Sequence, residues 1–188
     1  MERWSGDGAA GDEVLARAAA AGARAAFAAL VERHYGRVLR LSWRLLGSEA
    51  EAQDLAQDVC IALGGKIRQF RGDAAFTTWL HRIVVNAARD AQRRRARSGR
   101  LAERYVETAA LERAGSAARE AEHAWLRAAL AALGPELRET AILVLDAGMT
   151  HAQAGAALGV SGGTVSWRMS EIRKQLAKLA AGAEDMGA

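Results

Sequence analysis

Apolar residues recur at intervals of three and four along most of this chain, and that periodicity is the strongest limit on its fold. Between Ala23 and Leu46 the series runs Phe27, Leu30, Val31, His34, Tyr35, Val38, Leu41, Leu45 and Leu46. It predicts one long helix, or two in succession with Gly36 as the break, ended at Gly47-Ser48. Ser48 then caps a helix over about 49–63, and Glu51 three residues on completes a capping box. Leu55, Val59 and Leu63 share one face of that helix, and Gly64-Gly65 is expected to stop it. Phe76, Trp79, Leu80, Ile83, Val84, Ala87, Ala88 and Ala91 trace a further helix over 76–97. Trp125, Leu126, Ala129, Leu130 and Leu133 form another stripe before the break at Gly134-Pro135. Pro135 suits a helix start, and Leu137, Ala141, Ile142, Val144 and Leu145 follow up to Gly148. No strand alternation competes, and no internal repeat is visible.

Pro135 is the only proline in 188 residues, so little forbids helix. Hydrophobic residues reach 51%, but many are alanine and aromatics are only 5%. Small side chains bury little area. The expected architecture is therefore all-α: two small helical domains joined by a flexible linker, the second containing a helix-turn-helix. Residues 1–22, rich in Gly and Ala, read as a mostly disordered tail with some helix from Asp12 onward. The first domain spans 23–97, the linker 98–118, the second domain 119–180 and a tail 181–188. Net charge is +4 with a pI near 9.8, which leans toward a polyanionic partner. Cys60 is the single cysteine, and His34, His81, His123 and His151 do not cluster, so no metal site or cofactor is expected. No nucleophile–base motif or phosphate loop indicates an enzyme. Without an apolar signal core or a stretch long enough to span a membrane, the expected location is the cytoplasm.

Two constellations carry function. In the first, Thr150–Leu158, Gly159-Val160-Ser161 and Gly162–Leu179 read as helix, tight turn, helix. Gly159 supplies the left-handed residue, Ser161 the cap, and small Ala154 and Gly155 allow a close crossing. Val165, Met169, Ile172, Leu176 and Leu179 form the apolar face. Thr164, Ser166, Trp167, Arg168, Glu171, Arg173 and Lys174 lie opposite, where a helix in a major groove presents its N-terminal residues to base edges. The alternative is an ordinary helical hairpin with a solvated face. Trp167 suits either DNA contact or packing.

In the second, Glu51, Asp54 and Asp58 share a face of the 49–63 helix. Such a stripe is either a solvated surface or a docking face for a basic partner. The 76–97 helix ends in Arg89, Arg93, Arg94, Arg95 and Arg97, with Arg100 beyond it. That is more positive charge than the helix dipole calls for and suits phosphates. Thr77, Thr78, His81, Arg82, Asn86 and Arg89 on its polar side can hydrogen-bond exposed bases.

Taken in order, these stretches resemble the extracytoplasmic-function (ECF) sigma factors of bacterial RNA polymerase, within the sigma-70 family. The matching segments are LSWRLLG at 41–47, AQDLAQDV at 52–59, FRGDAAFTTWLHRIVVN at 70–86 with the basic run after it, LAALGP at 130–135, and GMTHAQAGAALGVSGGTVSWRMSEIRKQL at 148–176. The resemblance implies a sigma factor that directs polymerase core to promoters. Asp54, Gln57 and Asp58, with Glu51 beside them, would dock on the clamp helices of the largest subunit. The loop from Phe70 through Arg71 and Asp73 to Ala75 would hold a flipped base of the −10 element. Phe76, Thr78, Arg82, Asn86, Arg89, Arg93 and Arg94 would line the melted strand. Ser161, Thr164, Ser166, Trp167, Arg168 and Arg173 would meet the −35 duplex. An anti-sigma factor is the implied partner of the free protein, and no membrane partner is implied.

The chain departs from the family's pattern at Leu63-Gly64-Gly65, where an aromatic is usual, at Cys60, at Gly155, where Ala is usual, and at Trp167. Two other readings stay open on sequence alone. A helix-turn-helix regulator acting without polymerase would leave a palindromic footprint. A sigma-like mimic that sequesters an anti-sigma factor would be expected to have lost Arg93, Arg94, Arg95 and Arg168, which remain here.

Overall fold

The computed structural model describes residues 9–97, 129–130 and 132–185. The linker expected over 98–118, and Trp125 and Leu126 of the stripe that follows it, lie outside the described residues. Every regular element among the described residues is helical. They are α1 (Ala9–Ala20), α2 (Arg24–Leu46), α3 (Glu49–Lys66) with a 3-10 turn at Ile67–Gln69, α4 (Phe76–Arg97), α5 (Pro135–Ala141) running into a π turn at Ile142–Asp146, α6 (His151–Leu158) and α7 (Gly162–Asp185).

The end signals act much as their chemistry predicts. Gly47 adopts φ 73° and its N–H closes on the Trp43 carbonyl, ending α2. Ser48 Oγ accepts from the Glu51 amide at the start of α3. Pro135 opens α5. Of the two forms left open for residues 23–46, the single helix is found: Gly36 does not break α2, because the chain on both sides buries the same stripe of Leu30, His34, Val38, Leu41 and Leu45. One boundary differs from expectation. Gly64-Gly65 does not stop α3, which runs to Lys66 because Leu63 and Ile67 are both buried and span the glycines.

The largest departure is α1. Residues 9–20 fall within the stretch 1–22 expected as a mostly disordered tail with some helix from Asp12 onward. Instead they form three turns packed on α2, α4 and the 3-10 turn. The apolar contribution is small, since Ala16 and Ala19 are the residues buried. The polar contribution explains the helix. Asp12 is 1% exposed, accepts from Arg33 Nη1 at 2.6 Å, and has its other oxygen 2.9 Å from His34 Nε2. A buried carboxylate with two cationic or polar partners is held firmly, because leaving it unpaired costs several kcal/mol.

The centre of the bundle is α4, enclosed by α1, α2, α3 and α6. Phe76, Leu80, Ile83, Val84, Val85 and Ala88 are buried along it. This enclosure also buries Thr78 and His81, which the sequence placed on a polar face. The two halves of the chain lie directly against each other. Their apolar residues form one contiguous core, and Arg89 of α4 clasps Glu139 of α5 through Nε and Nη2 at 2.9 and 2.6 Å.

In the second half, α6 and α7 are joined by the expected three-residue turn. Gly159 sits at φ 75°, and Thr150 and Gln153 cap each other's backbone at the start of α6. Gly155 is required by close approach. A Cβ there would lie 2.8 Å from the Val160 carbonyl oxygen and 3.2 Å from the Gly162 nitrogen. Gly155→Ala should therefore destabilise the protein by about 1–3 kcal/mol, read from the urea midpoint. An unchanged midpoint would mean the turn yields freely.

His81 gives a second expectation. Burial, reinforced by Arg37 and His34, lowers its pKa to about 4 from an ordinary 6.5. Burial likewise lowers His34, against the opposing pull of Asp12. Both rings are thus neutral in the fold, and the unfolded chain takes up protons first as pH falls. Stability should be level above pH 6.5 and decline from there toward pH 4. His81 accounts for about 3 kcal/mol of that decline. Comparing denaturant midpoints of the natural protein and His81→Gln across this range checks it. Parallel pH profiles would refute the assignment.

Candidate functional site

The acidic face of α3 is built by periodicity alone. Ala52, Leu55, Ala56, Val59 and Leu63 face the core, which leaves Asp54, Gln57 and Asp58 exposed on the other side. Ile61 extends this stripe and is 78% exposed, a large apolar residue that the spacing of charges does not flag. Glu51 differs from its neighbours. It is half-buried and its Oε2 lies 3.6 Å from Arg95 Nη1 on α4. A shallow cleft of about 140 Å³ separates the two helices, lined by Glu51, Asp54 and Asp58 on one wall and Gln92, Arg94 and Arg95 on the other. The acidic stripe and the basic end of α4, separate features in the sequence, thus meet at one place.

The loop between the 3-10 turn and α4 is anchored at both ends by aromatic rings. Phe70 and Phe76 are buried, with ring centroids 5.7 Å apart and nearly perpendicular, and Trp79 stands 5.4 Å from Phe70. Edge-to-face packing of this kind adds about 0.5–1.5 kcal/mol per pair beyond area. Between the anchors, Arg71, Gly72, Asp73 and Ala74 are exposed, with Gly72 at φ 79°. Phe70 and Phe76, expected to face a nucleic acid, are instead buried in this fold, where their rings pack on each other and on Trp79.

Along α4 the proposed strand-facing residues divide. Arg82, Asn86, Arg93 and Arg94 are exposed. Thr78 is buried at 4% and presents nothing to solvent, because the helix is enclosed there by the bundle. Arg89 is occupied by Glu139, whose hydrogen bonds raise the guanidinium pKa above its ordinary value. Arg93 pairs with Asp90 one turn back, which holds the Asp90 carboxyl below its usual range.

On α7, Ser161 Oγ accepts from the Thr164 amide at 3.0 Å and contacts its hydroxyl at 2.9 Å. Ser166 is exposed, donates to the Gly162 carbonyl and touches His151 Nδ1 at 2.8 Å. Trp167 is 65% exposed, so it does not pack on a neighbouring helix among the described residues. Arg173 is exposed as well. Arg168, expected on the same outward face, lies elsewhere. It is 7% exposed and ion-paired with Glu136 of α5. Its neighbour Met169 belongs to the core stripe, and a long side chain there reaches around the helix to the facing element.

Cys60 is partly buried and its thiol pKa is pushed up by burial, which leaves it a poor nucleophile. Among the described residues no group of three or more His, Cys, Asp or Glu converges as a metal site, and no helix is long and apolar enough to cross a membrane.

Residues 30–98 match the Sigma-70 region 2 family. The chain is 37% identical over 177 residues to the RNA polymerase sigma factor NccH of Alcaligenes xylosoxydans xylosoxydans, covering 89% of this chain and 94% of that one. It is 34% identical to the ECF RNA polymerase sigma factor SigM of Mycobacterium tuberculosis, covering 89% and 84%. Among solved structures, CnrH in complex with the cytosolic domain of CnrY superposes with a TM-score of 0.68 at 31% identity, covering 91% of this chain and 97% of that one. These relatives belong to a family of transcription factors rather than enzymes. By sequence, by fold and by the order of its motifs, the chain belongs to the ECF sigma factors of the sigma-70 family.

Proposed function

We propose that this chain directs RNA polymerase core to specific promoters, docking through α3, holding a melted −10 strand at the 71–74 loop and α4, and reading −35 duplex with α7. The observation that carries this reading is the placement of two exposed stripes on one packed unit. Asp54, Gln57 and Asp58 offer an acidic face to a basic coiled coil, and Arg71, Asp73, Arg82 and Asn86 offer hydrogen-bonding and cationic groups to a single strand. Phe70 and Phe76 serve as loop anchors rather than stacking platforms. The −35 contacts fall to Ser161, Thr164, Ser166, Trp167 and Arg173, with Arg168 holding α5 to α7 instead of reading bases. An anti-sigma factor is the expected inhibitor. Support comes from the family and from the solved relative CnrH, which is bound to the cytosolic domain of CnrY.

The Arg89–Glu139 clasp bears on how the strand is reached. Glu139 occupies a guanidinium on the same side of α4 as Arg82, Asn86 and Arg93. Strand binding there requires phosphate to replace the carboxylate, or Arg89 to stay with Glu139 and take no part.

Asp54→Ala combined with Asp58→Ala should weaken core binding at least tenfold in a pull-down, while leaving the helical circular-dichroism signal unchanged, since both residues are exposed. Undiminished core affinity would remove α3 from the docking role. Arg82→Ala combined with Asn86→Ala should reduce strand opening, measured by permanganate reactivity of promoter thymines in the holoenzyme. It should also lower the salt dependence of binding by roughly 0.7 for each phosphate no longer neutralised. A footprint and salt slope equal to the natural protein's would reassign that face.

A further inference from the structure

The N-terminal helix does more than pad the bundle. The first residue of α4 is Phe76, and the residue before it, Ala75, has no side-chain acceptor to cap the helix. The acceptor comes from α1 instead, where Glu13 Oε1 takes the Phe76 backbone N–H at 3.1 Å across 63 residues of sequence. A carboxylate at a helix N-terminus satisfies an otherwise unpaired donor and complements the positive end of the dipole. The adjacent residue, Asp12, acts on the same place by another route. It fixes His34, and the His34 ring packs 5.3 Å from the Phe76 ring. The Phe76 ring in turn supports Phe70 at the other end of the loop. Two neighbouring acids on α1 thus converge on Phe76, one through its backbone and one through its ring.

We propose that Glu13 is a positioning residue for base selection: by capping α4 from α1 it fixes one end of the Arg71–Ala74 loop, and so sets how sharply that loop discriminates the base it holds. The proposal rests on the reading of this loop as the −10 base holder. Glu13 itself touches no base. Its effect passes through the position of Phe76 and the register of Arg71 and Asp73 above the buried rings. Loss of the cap leaves the ring cluster to hold the loop from below but frees the first turn of α4 to fray. A loop with one loose end still binds a strand and loses selectivity among bases, because discrimination needs donors and acceptors held within a few tenths of an ångström.

The test uses holoenzyme assembled from the full chain and core polymerase. A randomised single-stranded DNA library first yields the preferred strand, and affinities are then measured for that strand and its single-base variants. Glu13→Ala should cut discrimination about fivefold to tenfold at one base position only, with core affinity unchanged and a fall of only a few degrees in the melting temperature. Glu13→Gln, whose amide oxygen can still accept from Phe76, should recover most of the discrimination. The proposal is overturned if Glu13→Ala discriminates as the natural protein does, if its affinity falls equally for every strand, or if Glu13→Gln fails to recover. Arg71→Ala separates the two levels. Should it flatten discrimination at a position where Glu13→Ala does not, the positioning role alone fails. Should the natural holoenzyme select no strand, or should neither variant change its choice, the base-holding assignment of the loop fails and takes this proposal with it.

Discussion

The enclosure of α4 is the constraint from which the rest of the structure follows. This helix carries the basic run, yet it holds more buried residues than any other described helix, with α1, α2, α3 and α6 around it. Such a helix can expose only a narrow strip. Arg82, Asn86 and Arg93 occupy that strip, and Thr78 and His81 fall outside it by a fraction of a turn. The neutral state of His81 follows from the same enclosure, since a charge there would have no solvent to stabilise it.

Ion pairs between elements do different work at different depths. The exposed Arg44–Asp146 pair, at 3.5 Å, contributes little in water. Arg89–Glu139 is bidentate and its carboxylate is nearly buried, so it fixes the orientation of α5 on α4. Arg168, itself nearly buried, joins α7 to α5 through Glu136, but that carboxylate is largely exposed and water weakens the pair. The short helix α5 is thus pinned at both ends by arginines of longer helices, and the second half of the chain is oriented on the first by charge as well as by apolar contact. Arg89 lies on the same side of α4 as the exposed Arg82, Asn86 and Arg93, so the packing of the two halves engages a cation of that side.

The helix ends were legible because each rests on local chemistry that acts within a few residues. Gly47, Ser48, Pro135 and Gly159 behave as their backbone and side-chain preferences dictate. The glycines that misled, Gly64-Gly65, sit like Gly36 where the flanking residues bury one continuous stripe, and packing outweighs about 1 kcal/mol of glycine penalty. The acidic stripe on α3 was legible for the same reason as the helices, since spacing of three and four assigns a face. What it meets was not: Glu51 reaches Arg95 on another helix, far along the chain, and no local pattern records that pairing. The same holds for α1. Its alanine-rich sequence shows little apolar signal, and the helix is held by Asp12 and Glu13 acting on residues far along the chain.

The all-helical class, the placement of most helices, the order of motifs that marks an ECF sigma factor, and the outward face of α3 were all legible in the amino-acid order alone. All of these follow from periodicity and capping, which operate along the chain. Only the tertiary structure decided which polar residues are available. It buried Phe70, Phe76, Thr78 and Arg168, occupied Arg89 with Glu139, and brought Glu13 of α1 to the start of α4. Those outcomes depend on which elements pack side by side, which no local pattern along the chain records.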